Sequence, residues 1–184
     1  MASRQTPHHI SQQFDNELNN LRSHVLSMGG LVEDHLAKVL AALANSDSEL
    51  AEYVATNDYR VNALQVEIDE ECTGILLRRQ PAAGDLRLVL AVSKTITDLE
   101  RIGDEVEKVG RLALELTAVE SPKAYYVGIL AMGNHVKRML HDVLDAFARM
   151  DSQAAFKVAK QDPEIDAQNN AIMRPLITYT MEDP

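Results

Sequence analysis

From Ser11 onward, Phe14, Leu18, Leu21, Val25, Met28, Val32, Leu36, Val39 and Leu43 recur at spacings of three and four, with polar residues between them. That period puts them on one stripe of a single long amphipathic helix. Asn45, Ser46 and Asp47 interrupt the stripe, and Ser46 followed three residues later by Glu49 has the form of a capping box. A second helix is predicted from there, with Leu50, Val54, Val61, Leu64, Ile68, Cys72, Ile75 and Leu76 on its apolar side. Pro81 ends it and is predicted to occupy the first turn of a third helix, whose stripe is Leu86, Val89, Ile96, Leu99, Val106, Val109 and Leu116. Such short connections force neighbouring helices to run antiparallel. The expected unit is a three-helix bundle on the order of 45 Å long at 1.5 Å per residue.

Ser121 and Pro122 mark the clearest boundary. Beyond them a fourth helix is predicted around Ile129, Val136, Leu140, Val143, Leu144 and Phe147. A fifth comes after it, around Val158, Ile165, Ile172, Leu176 and Ile177. These two repeat the first two. Shifting the chain by 104 residues, so that Asp47 falls on Asp151, aligns Met28-Gly29 with Met132-Gly133 and Val32 with Val136. The same shift aligns Leu36 with Leu140, Ala51 with Ala155, Val54 with Val158 and Asp58 with Asp162. Helical periodicity alone aligns apolar positions, but it does not bring Met-Gly, Asp-Ser and a lone Asp into register.

The reading is therefore an all-α fold, a duplicated three-helix bundle of long antiparallel helices. Residues 1–10 form a flexible N-terminal arm, 11–120 the first bundle and 123–184 a partial second bundle of two helices. The counterpart of the third helix is due near residue 185, just past the last residue, Pro184. The exposed stripes then need cover, best supplied by a partner chain exchanging helices in a dimer; aggregation or a disordered second unit is the alternative.

Composition agrees with helices packed through aliphatic seams: 46% of the 184 residues are hydrophobic, 4% are aromatic and none is Trp. A net charge of −10 argues against sequence-independent binding to nucleic acid, which needs a basic surface. The single cysteine, Cys72, excludes an intramolecular disulfide, and its spacing from Ile68 and Ile75 is that of a buried helical position; a reactive thiol is the other reading. No apolar run reaches membrane-spanning length, which is the pattern of a cytoplasmic protein.

Candidate chemistry concentrates on the third helix, in Asp98-Leu99-Glu100-Arg101-Ile102-Gly103-Asp104 and on through Glu105 and Glu107. Glu100, Asp104 and Glu107 share one helical face at spacings of four and three. Like charges so placed repel unless a cation lies between them, and carboxylate oxygens suit Mg²⁺, Mn²⁺ or iron. The same segment also reads as a solvated ion-pair face, with Asp104 on Lys108, Arg101 on Glu105 and Glu107 on Arg111. Gly103 and Gly110 cost helix propensity and point to a close helix approach. No His stands three residues after a Glu, as the Glu-x-x-His pairs of a di-iron bundle enzyme require, so a carboxylate-metal oxidoreductase is disfavoured.

The segments Arg79-Gln80-Pro81-Ala82, Asp85-Leu86-Arg87 and Glu100-Arg101-Ile102-Gly103-Asp104 resemble the PhoU family, as do Met28-Gly29-Gly30 and Tyr179-Thr180-Met181-Glu182-Asp183. The similarity runs from about Phe14 to the end. The resemblance implies a cytoplasmic, commonly dimeric protein of two three-helix bundles. It implies a negative regulator of the phosphate regulon, an adaptor between the ATPase subunit of the Pst phosphate transporter and a PhoR-type sensor kinase. Catalysis is not required of it, and it meets the membrane only through partner proteins. It also implies a Glu-x-x-x-Asp metal motif at Glu100 and Asp104, with Glu107 an addition, taking Mn, Fe, Mg or Zn. A second copy of that motif belongs to the absent helix. Asp85, Arg87 and Arg101 are the expected partner-facing residues. A helical scaffold with no metal role is the competing reading.

Overall fold

A computed structural model describes residues 7–118 and 126–182, with side chains from 12 to 118 and from 126 to 175. Among the described residues the secondary structure is entirely helical: α1 (Pro7–Asn45), α2 (Ser48–Thr56), α3 (Tyr59–Arg79), α4 (Ala83–Thr117), α5 (Tyr126–Ala148), α6 (Ser152–Ala159) and α7 (Asp162–Glu182). Helix α1 begins at Pro7, four residues before the predicted start, because proline suits a first helical turn. The rest of the expected N-terminal arm, residues 1–6, and the expected boundary at Ser121 and Pro122 lie outside the described residues.

Two predicted helices are each divided. The second becomes α2 and α3, separated at Asn57 and Asp58, and the fifth becomes α6 and α7, separated at Lys160 and Gln161. Apolar spacing carries across both breaks, which is why periodicity alone reads through them. Pro81 lies two residues ahead of α4, not in its first turn. Gln80 takes a left-handed conformation (φ 45°) that closes α3, and Leu86 N–H donates to the carbonyl of Ala82.

The junction between α1 and α2 differs from the capping box expected at Ser46. Ser46 adopts φ 57°, and Asp47 N–H donates back to the Ala42 carbonyl, the closing bond of a Schellman motif. The cap of α2 is Asp47, whose Oδ1 accepts from Leu50 N–H at 3.0 Å. The same arrangement recurs 104 residues later. Met150 has φ 54°, Asp151 N–H donates to Ala146, and Asp151 Oδ1 accepts from Gln153 and Ala154 N–H. The repeat read from side chains is thus present in the backbone.

Contacts divide the chain into two compact units, Met1–Val32 with Asp58–Asp104 and Glu33–Asn57 with Glu105–Pro184. In the first, Leu18, Leu21, Val25, Met28 and Val32 of α1 are buried, as are Val61, Ile68, Cys72 and Ile75 of α3 and Val89, Val92, Ile96 and Leu99 of α4. The pairing order is antiparallel, as short connections require. Glu17 of α1 meets Arg79 of α3, and His24 meets Glu71; Cys72 and Asp69 of α3 meet Val89 and Ser93 of α4.

In the second unit, Val39, Leu40 and Ala42 of α1, Ala51 and Val54 of α2, and Val106 and Ala113 of α4 are buried. His35 is buried edge-on to the Tyr53 ring. Gly133 of α5 faces Leu40, where a methyl group has no room, and His141 meets Glu33 at 3.1 Å. His135 links α5 to α7 and to the turn ahead of it. Its Nε2–H donates to Gln161 Oε1, and Gln168 donates to its Nδ1. Burial is sparser here: His135, Leu140 and Ala146 in α5 and Val158 in α6, while Val143 and Phe156 are exposed. Leu86, Val109 and Leu116, expected on the buried stripe of α4, are also more than a third exposed, whereas Val92 and Ala113 are covered.

Candidate functional site

Helix α4 carries every site residue expected from the sequence. Asp85 stands half-buried in its first turn, where a carboxylate complements the helix dipole, and Arg87 is exposed two residues on. Arg101 is exposed and reaches Asp98 at 3.7 Å, while Glu100, Asp104 and Glu107 are half-buried. Lys108 contacts Glu105 at 2.7 Å, so the expected Arg101–Glu105 pairing is replaced by two pairs at i,i+3. The Glu107–Arg111 pair forms as expected, and the carboxylate raises the guanidinium pKa through their hydrogen bond.

Asp104 gains a neighbour from another helix. Asp58, buried at the start of α3, offers a carboxylate oxygen within 4.8 Å of one on Asp104. Glu107, one turn further along α4, falls in the second unit, and Glu100 is not grouped with Asp58 and Asp104. The carboxylate of Asp58 is oriented by Asn62, whose Nδ2–H donates to Oδ2 at 3.0 Å, while its carbonyl accepts from Val61 and Asn62 N–H.

Gly103 makes the approach possible. A Cβ at that position stands 2.9 Å from Asp58 Oδ1 and 3.2 Å from Val61 Cγ1, too close for a side chain without displacement. Gly110, seven residues on, has the same role against Ala55 N–H and Val54, at 3.1 and 3.2 Å. The close helix approach read from these glycines is therefore observed.

An all-oxygen set of carboxylates from two helices fits a hard divalent cation such as Mg²⁺, Mn²⁺ or Fe²⁺ better than a thiophilic one. Asp58 is the residue that spacing along α4 did not reach. Its signal was the internal repeat, where it is the isolated polar residue in register with Asp162. Cys72 lies outside this group: it is 2% exposed, its Sγ faces the Val89 carbonyl at 3.8 Å, and burial pushes its thiol up to about 11. No helix among the described residues is long and apolar enough to cross a membrane.

Comparison with known proteins places this geometry in a family. The PhoU domain profile matches residues 25–113 and 129–184, two segments whose starts are 104 residues apart, the spacing of the internal repeat. The phosphate-specific transport system accessory protein PhoU homolog of Pseudomonas putida is 50% identical over 178 residues, which span 96% of this chain and 69% of the relative. The phosphate-specific transport system accessory protein PhoU of Escherichia coli is 47% identical over 175 residues, 95% of this chain and 72% of the relative. The crystal structure of PhoU from Pseudomonas aeruginosa superposes with a TM-score of 0.89 at 46% identity, covering 93% of this chain and 82% of that one. The phosphate transport system regulatory protein PhoU from Streptococcus pneumoniae gives 0.83 at 30% identity, covering 92% and 80%. With the family profile matching most of its length and half its residues shared with a relative, the chain belongs to the PhoU domain family.

Proposed function

We propose that this chain is an accessory protein of a phosphate-specific transport system and acts by binding, not by catalysis. In this reading it is a cytoplasmic negative regulator of the phosphate regulon. It works as a homodimer between the transporter's ATPase subunit and a PhoR-type sensor kinase, holding the kinase in its inhibitory state when phosphate is plentiful. The observation that carries the proposal is 47–50% identity, over at least 95% of the chain, to proteins named for that transport system.

Asp104, with Asp58 beside it, holds a divalent cation in this reading, and Glu100 and Glu107 follow one turn to either side along α4. A cation supplies fixed positive charge on an otherwise acidic helix face, which orients a partner's acidic groups and sets register. Arg87 and Arg101, both exposed, and Asp85 near the start of the same helix are the partner contacts. Charge on a rigid helix positions contacts; no bond in a substrate need change.

The test is a phosphate-starvation reporter in a bacterium lacking its own family member. Expression of this chain should repress the reporter at high phosphate, and the Asp58→Asn, Asp104→Asn double variant should not. A soluble chain that leaves the reporter derepressed defeats the adaptor role. Full repression by the double variant removes the cation from the mechanism.

A further inference from the structure

A second group of ligating side chains lies in the first unit, between α1 and α3, and none of its members belongs to the carboxylate site on α4. His24 of α1 and Glu67 and Glu71 of α3 each present one ligand atom, and the three atoms lie within 4.8 Å of one another. Glu67 and Glu71 are four apart, so their carboxylates share a face of α3 and repel unless a cation lies between them. Helix α1 brings an imidazole to that face.

His24 and Glu71 approach each other within ion-pair distance. Nδ1 and Oε1 are 2.8 Å apart, yet Nδ1 is buried and has no partner in hydrogen-bonding geometry. Beside them is a cavity of about 190 Å³, lined by Glu17, Asn20, His24, Glu71, Ile75 and Arg78. It has space for several waters at about 30 Å³ each.

We propose that His24, Glu67 and Glu71 form a binding site for a borderline divalent cation, Zn²⁺ being the ion whose chemistry matches best. Imidazole nitrogen and carboxylate oxygen are both donors that Zn²⁺ accepts, and three protein ligands leave a fourth position for water from the adjoining cavity. The ion ties α1 to α3 at mid-helix, away from the Glu17–Arg79 pair at the end of α3. Its ligand chemistry separates it from the all-oxygen site at Asp104.

The experiment uses the full chain carrying Asp104→Asn and Glu107→Gln, so that the α4 carboxylates do not contribute. After chelator treatment and dialysis against Zn²⁺, bound metal is measured by mass spectrometry, and Co²⁺ is titrated in parallel to read its visible ligand-field bands. The expected result is one Zn²⁺ per chain. His24→Ala should weaken binding by about a hundredfold or more, beyond what loss of an outer-shell contact causes, and should alter the Co²⁺ bands. Glu67→Gln changes an exposed side chain, so loss of zinc in that variant cannot be ascribed to misfolding. Zinc retained at full stoichiometry in either variant, or no zinc bound by the parent, overturns the site.

Discussion

Gly103 of α4 lies against Asp58 at the start of α3 so closely that a methyl group on the glycine would stand 2.9 Å from the carboxylate oxygen. Gly103→Ala gains about 1 kcal/mol of helix propensity but forces the two helices apart. The expected net effect is a destabilisation of about 1–3 kcal/mol, the usual cost of overpacking. Gly30, in the middle of α1, has nothing within 4 Å of the same added atom, so Gly30→Ala should stabilise by about 1 kcal/mol. Urea denaturation of the two variants checks the pair, and equal shifts of one sign would refute the packing argument.

The cation reading of α4 makes its own prediction. Asp104→Asn and Asp58→Asn should each lower the Mn²⁺ or iron retained after purification, while Glu100→Gln, outside the group around Asp104, should lower it less. Metal content equal in all three variants would show that the face is only a solvated array of charges.

Glu17 and Arg79 tie α1 to the end of α3, with guanidinium contacts of 2.6 and 3.0 Å. The hydrogen bond from Arg79 is the main reason the Glu17 carboxyl is held below its usual range. A carboxylate depressed in the folded state contributes stability above its unfolded value of about 4.3, and that contribution fades as pH falls through the lowered value. Glu17→Gln should therefore melt below the parent protein at neutral pH by no more than a few degrees, since the pair is partly exposed. The two melting curves should converge in acid, and a gap that widens below pH 4.3 would contradict the assignment.

Cys72 should resist alkylation in the folded protein. Burial raises its thiol to about 11, with Asp69 and Glu71 adding to the shift, so at neutral pH almost no thiolate forms. Labelling with a maleimide should be slow in buffer and rapid in denaturant. Fast labelling without denaturant would mean that α3 and α4 separate readily around Val89.

Asp47→Ala removes the cap of α2 and should cost about 1 kcal/mol. Ser46→Ala leaves the cap in place and should cost less. The reverse order, read from thermal melts, would restore the capping box to Ser46.

Much of this was open to inspection in the residues alone. The stripe of α1, the antiparallel order and the duplication come from spacing, because burial on a helix repeats with its turn. What spacing did not reveal were the breaks at Asn57 and Lys160, where apolar spacing continues while the helix is interrupted. Nor could positions along α4 show that Asp58, 46 residues before Asp104, would be brought beside it. Likewise His24 and Glu71 belong to different helices, and only their antiparallel pairing brings them to 2.8 Å. Contacts within a helix are written in local order; those between helices depend on registers that local order does not state.

The turns at Ser46 and Met150 share a torsion and a closing bond while their side chains have nothing in common. Neither is glycine, so each bears the strain of a left-handed residue. Both halves bear this cost with different residues, so what repeats at these corners is a path of the main chain. The corner is repeated in its angles even where the residue that occupies it is not.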